Sequence, residues 1–117
     1  MSDQKILSVA ELPACPVETT LYLLGNKWKV MILRDLFDGP QRFSDLKRTV
    51  GTVSAKVLTS NLRSMEADRL LTRTVYAEVP PRVEYELTPL GYSLEPVISA
   101  MRNWGAAYKA NRLSEDM

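Results

Sequence analysis

The chain has 117 residues, 45% hydrophobic and 25% charged, with fifteen Lys and Arg against fourteen Asp and Glu. That size and balance fit one compact domain and exclude a basic tail or a highly charged disordered chain. There is no histidine and a single cysteine, Cys15, which removes His-based acid–base catalysis, zinc sites built from Cys and His, and any disulfide within one chain.

No run approaches the roughly 20 apolar residues of a membrane span, and the N-terminus lacks a signal-peptide pattern, so a cytoplasmic protein with no membrane partner is expected. Residues 1–14 read as a polar, flexible arm. Cys15-Pro16 opens a first helix, with proline at the first helical position, where a missing N–H costs nothing. Val17, Leu21 and Leu24 recur at spacings of four and three, and Gly25 stops the helix. Asn26 caps a second helix over 27–37. Its Trp28, Val30, Met31, Ile32, Leu33, Leu36 and Phe37 cover most of the circumference, the mark of a helix at the centre of a core. Asp38-Gly39-Pro40 ends it, and Ser44 is placed to cap a short third helix carrying Leu46 and Val50.

Gly51-Thr52-Val53 then turns the chain tightly into a fourth helix over 54–68, capped by Ser54, with Leu58, Leu62 and Met65 inward. Two helices joined by a short glycine-containing turn form the helix-turn-helix pattern. After Leu70 the pattern changes to alternation over 71–87, read as two antiparallel strands with Pro80-Pro81-Arg82 stiffening the tip. Thr88-Pro89 starts the last helix, expected to run to about Lys109. Leu90, Leu94, Val97, Met101, Trp104 and Tyr108 lie along it at alternating steps of four and three. That 3.5-residue period is the seam of a helix packed against a partner helix, and Pro96 is expected to kink or split it.

This order predicts a mainly α fold with a small β-hairpin wing: a winged helix-turn-helix with N- and C-terminal dimerisation helices. It is read as one domain, with an arm over 1–14, a DNA-binding core over 15–88 and C-terminal dimerisation helices over 89–111. The charge map agrees, because residues 42–82 carry eight basic and four acidic side chains, +4, between flanks of −1 and −2. The positive segment holds the fourth helix and the wing, where phosphate neutralisation would be needed.

Cys15-Pro16-Val17, Gly25-Asn26-Lys27-Trp28-Lys29, Ile32-Leu33-Arg34-Asp35-Leu36 and Arg42-Phe43-Ser44-Asp45-Leu46 together resemble the HxlR family of MarR-like bacterial winged-helix regulators. So does Pro80-Pro81-Arg82-Val83-Glu84-Tyr85-Glu86-Leu87-Thr88-Pro89-Leu90-Gly91, and the similarity runs from Cys15 to Trp104. The resemblance implies a homodimeric, DNA-binding transcription regulator, with a reactive cysteine at the Cys15 position in some members. Arg69 departs from the pattern, since many relatives close the fourth helix with glycine. If the backbone there needs φ > 0, arginine costs about 1 kcal/mol.

Each candidate site residue has a plain alternative. Lys56, Thr59, Ser60 and Arg63, with Arg42, Ser44, Lys47 and Ser54 beside them, are read as DNA-contacting; the alternative is a solvated polar face. Arginine is the side chain best suited to bidentate contact with guanine, and Ala55 or Thr59 can meet a thymine methyl. Arg82, stiffened by the prolines, suits a narrow minor groove; the alternative is an exposed loop charge. Leu21, Leu94, Val97, Met101, Trp104 and Tyr108 are read as dimer interface, with a ligand-pocket wall as the alternative at Trp104 and Tyr108. Cys15 is either a small buried hydrophobe or a redox-sensing thiol. The helix dipole favours the thiolate, and Lys27 and Lys29 add positive potential if the turn folds them back.

The expected function is a homodimeric, sequence-specific transcriptional regulator, read as a repressor, on an inverted-repeat operator in double-stranded DNA. A small electrophile or oxidant is its candidate effector through Cys15. The competing reading is a protein-interaction adaptor without DNA contact, which should carry apolar residues on the outer face of the fourth helix, where this chain has polar ones. An enzyme stands third, since no paired-carboxylate spacing or phosphate loop is visible, and no cofactor or metal is expected.

Overall fold

The computed structural model describes residues 7–116. Its elements run α1 (Pro16–Leu24), α2 (Lys27–Leu36), β1 (Gln41–Arg42), α3 (Phe43–Val50), α4 (Ala55–Ala67), β2 (Leu71–Tyr76), β3 (Arg82–Leu87), α5 (Pro89–Tyr92) and α6 (Glu95–Asp116). α2 is the hub: Ile32, Leu33 and Leu36 are fully buried, against Leu46 and Val50 of α3 and Leu58, Leu62 and Met65 of α4. Each such aliphatic side chain taken from water contributes about 1.5–3 kcal/mol, so the packing of α2, α3 and α4 fixes the helix-turn-helix frame.

Local chemistry sets the element boundaries. Asn26 caps α2 by accepting from the Lys29 N–H at 3.1 Å, and Ser54 caps α4 by accepting from the Val57 N–H at 3.1 Å. Two residues past α4, Arg69 takes φ 64°, and the Leu70 N–H reaches back to the Met65 carbonyl at 2.9 Å. The left-handed residue expected at this stop is therefore present, and it carries a Cβ. Thr88 then ties the far end of the wing to that stop: its hydroxyl donates to the Arg69 carbonyl at 2.7 Å and accepts from the Gly91 N–H at 3.1 Å. A Cβ on Gly91 would lie 2.1 Å from the Leu70 carbonyl oxygen, so only glycine permits this closure.

Several expectations change. The sheet has three strands, in the order β1-β3-β2 and all antiparallel, because Gln41 and Arg42 pair with Tyr85 and Glu84. β2 stops at Tyr76, short of Val79, and only Leu71 on it is buried. Ser44 does not cap α3; Arg42 occupies the cap position, its N–H donating to Asp45 Oδ2 at 3.4 Å, and Ser44 lies inside the first turn. The last helical segment is split rather than kinked: the break falls at Ser93-Leu94, which leaves Pro96 in the first turn of α6, and α6 continues to Asp116. Of the expected arm, residues 1–6 lie outside the described residues, and Val9–Glu11 form a 3₁₀ turn. Among the described residues no helix is long and apolar enough to cross a membrane.

Candidate nucleic-acid interface

α4 presents two chemically distinct sides. Leu58, Leu62 and Met65 are at most 1% exposed, while Ser54, Lys56, Ser60 and Arg63 are exposed and Thr59 is half-buried. The 3.6-residue repeat accounts for the division, since residues three and four apart share a face. Arg42 and Ser44 are exposed at the start of α3, and Lys47 is half-buried one turn on. Arg42 and Ser44 share a cleft of about 410 Å³ with Val79, Pro80, Pro81 and Arg82 of the wing tip, so β1 brings the start of α3 beside the wing.

Arg82 does not stand free at the tip, contrary to the expectation from its two prolines. Its guanidinium lies 4.0 Å over the Tyr76 ring, pairs with Glu78 at 3.2 Å, and has Nε 3.5 Å from Glu84 without a hydrogen bond. β-Sheet register explains this: Tyr76 is directly opposite Arg82, and a guanidinium stacks readily on an aromatic face.

Behind α4 lies a polar network that periodicity alone did not bring out. The Lys29 ammonium, on a residue only 9% exposed, donates to Ser64 Oγ at 2.7 Å. Asn26 Nδ2 donates to Asn61 Oδ1 at 3.0 Å, and Asn61 Nδ2 donates to the Val57 carbonyl at 2.9 Å. Burial lowers the Lys29 pKa, opposed by the charge of Asp68. The Asp68 carboxyl is raised by its own desolvation, opposed by Lys29. Lys29 is thus engaged by Ser64 of α4, while Lys27 lies 4.6 Å over Trp28. The available signal was Asn61, a polar residue three after Leu58 and four before Met65, on the inward stripe.

Cys15 is the N-cap residue of α1 and is exposed, which removes the buried-hydrophobe alternative. The six residues read as interface divide. Leu94 and Val97 are half-buried, whereas Leu21, Met101, Trp104 and Tyr108 are exposed at 62, 48, 70 and 48%. α6 is anchored instead by Ile98, a core residue outside the expected stripe. Leu21 and Met101 line one apolar groove of about 360 Å³ with Leu24, Val30 and Met31, and Trp104 stacks on Tyr108 at 5.4 Å.

A helix-turn-helix flanked by a β2–β3 wing defines the winged-helix class. Residues 23–113 match the HxlR-like helix-turn-helix family, and the chain belongs to it. Over 99 residues it is 46% identical to the uncharacterized HTH-type transcriptional regulator YdeP of Bacillus subtilis, covering 85% of this chain and 77% of YdeP. Among solved structures, the redox regulator HypR in its reduced form superposes with a TM-score of 0.80 at 40% identity, covering 86% of this chain and 99% of HypR. The diamide-treated form of YodB from B. subtilis gives a TM-score of 0.67 at 35% identity, covering 80% of this chain and 94% of that one. The chain is a helix-turn-helix transcriptional regulator by family.

Proposed function

We propose that the chain is a homodimeric, sequence-specific DNA-binding repressor. α4 serves as its recognition helix in the major groove, and the wing over 71–87 lies at the minor groove. The observation that carries this reading is the exposure of Lys56, Ser60 and Arg63 on a helix whose opposite side is locked into the core. An adaptor would need large apolar groups on that outer face; on α4 only Val57 and the small Ala55 are exposed apolar side chains. The Ser54 hydroxyl, Arg42, Ser44 and Lys47 supply phosphate contacts, and Arg63 or Lys56 the base edge. Arg82 contributes once its guanidinium trades Glu78 and Glu84 for phosphate. In domain terms, 15–88 is the DNA-binding core and 89–111 the dimerisation segment, with 1–14 as an arm; a second copy covers Leu21, Met101, Trp104 and Tyr108. The protein acts in the cytoplasm.

The test is to select bound fragments from random duplex DNA with the purified protein. One enriched inverted repeat is expected, with half-site centres about one helical turn, or a multiple of it, apart and affinity falling steeply with salt. No enrichment above input would sink the reading.

Cys15 adds a second layer. An exposed thiol at a helix N-terminus, in a chain similar to HypR and YodB, supports control by an oxidant or electrophile. With one cysteine, the product is a sulfenic acid, a mixed disulfide with a small thiol, or a bridge between subunits. An adduct at α1, beside the uncovered face, alters the angle between subunits and hence the spacing of the two recognition helices. Diamide should change operator affinity of the wild type and leave Cys15→Ser unmoved; equal responses would remove the redox switch.

A further inference from the structure

α4 is gripped from behind at two points one helical turn apart. Asn26 holds Asn61 and Lys29 holds Ser64, at 3.0 and 2.7 Å, and both gripping residues come from the turn that starts α2. Lys29 and Asn61 are the polar residues buried in the core among those described. Gly25, at φ 73°, leaves the room that Lys29 uses: a Cβ there would press on Lys29 Cδ and Nζ at 3.0 and 3.1 Å.

Such a network is a poor source of stability, because burying an ammonium costs much of what its partners return. Its value is directional. The apolar contacts of Leu58, Leu62 and Met65 hold α4 in the core but are not directional in themselves, whereas hydrogen bonds weaken steeply when misaligned and so set the last degrees of its roll. Ser60 and Arg63 immediately precede Asn61 and Ser64 in sequence, so each gripped residue adjoins one of the outward groups. A roll of about 20° moves side chains at the surface of a helix, 5–6 Å from its axis, by about 2 Å. That is enough to take a guanidinium off a base edge while phosphate contacts, which are less geometrically demanding, survive.

We propose that Asn26 and Lys29 are positioning residues that set the roll of α4 through Asn61 and Ser64, and so determine sequence specificity without touching DNA. The proposal rests on the DNA-binding reading above. Its test uses the full-length protein, the duplex that the wild type enriches, and a scrambled duplex of equal length. Lys29→Met keeps the apolar stem and removes the ammonium; Ser64→Ala removes only its acceptor and serves if the first variant folds poorly. Binding to the selected duplex should fall by about tenfold or more, the size of one lost base pair of recognition. In Ser64→Ala the affinity for the scrambled duplex and the salt slope should stay at wild-type values, even though the unpaired Lys29 ammonium lowers the urea midpoint. A wild-type ratio of selected to scrambled affinity in both variants overturns the positioning role, and so does a loss on both duplexes in proportion to lost stability. If the wild type enriches no duplex, the DNA-binding reading fails first and takes this one with it.

Discussion

α4 and α6 carry similar apolar periodicity and meet opposite fates. In α4 the stripe Leu58, Leu62, Met65 is closed off from water, and the polar residues beside it find partners on α2. In α6 the stripe Met101, Trp104, Tyr108 runs on past Ile98, the last residue anchored in the core, and stands exposed together with Val17, Leu21 and Tyr22 of α1. Spacing specifies that a helix has an apolar face; whether the same chain covers it depends on tertiary geometry. Exposed apolar side chains grouped along one helix in this way are a usual mark of an association surface.

The contrast is tested most strongly by truncation on each side. Leu62→Ala, at a site 1% exposed, should cost about 2–5 kcal/mol in urea unfolding, as large-to-small changes in a packed core do. A cost within about 0.5 kcal/mol, the range of ordinary surface changes, would mean that α4 is not locked to the core. On the other helix the expected effect is on assembly: the wild type should sediment as a dimer at micromolar concentration, and Met101→Glu with Trp104→Glu should give a monomer. A double variant that stays dimeric would place the interface elsewhere.

A smaller effect belongs to the end of α4. Arg69 holds φ 64°, where a side chain costs about 1 kcal/mol relative to glycine. Arg69→Gly should therefore raise stability by up to about 1 kcal/mol, less the entropy that glycine regains in the unfolded chain. Destabilisation beyond that would show that the arginine side chain contributes something the backbone conformation hides.

Much of this architecture was legible because its signals are local. Asn26, Ser54 and Thr88 cap helices as their residue types and spacings indicate, and Arg69 adopts the positive φ that its position after α4 requires. What escaped reading depends on contacts between distant segments. β1 is two residues long and exists only because β3 offers an edge. Lys29 reads as a surface cation until Ser64, thirty-five residues later, is brought beside it. Arg82 reads as a free tip charge until the register sets Tyr76 opposite. The outward α4 residues were legible from the helical repeat, whereas the clamp behind them was not.

The smallest expected effect tests how far the clamp is electrostatic. Desolvation raises the Asp68 pKa above its ordinary 3.8, with Lys29 opposing the rise. Between 3.8 and the raised value, the folded chain holds a proton that the unfolded chain has released. The contribution of this group to stability is therefore full below pH 3.8 and is lost as pH rises through the folded pKa. Lys29 behaves in the mirror sense: its pKa is lowered from 10.5, so its favourable contribution is present above 10.5 and is lost as pH falls through the folded value. Because Asp68 is partly exposed, solvent screening keeps its term to about 1 kcal/mol or less. Urea midpoints of the wild type and Asp68→Asn, taken from pH 3.5 to 7, should differ by an amount that changes across the acidic window. The variant should gain relative to the wild type as pH rises. A constant difference would mean that Asp68 titrates alike in the folded and unfolded chains, and that the clamp behind α4 is held by hydrogen bonds to neutral acceptors rather than by charge.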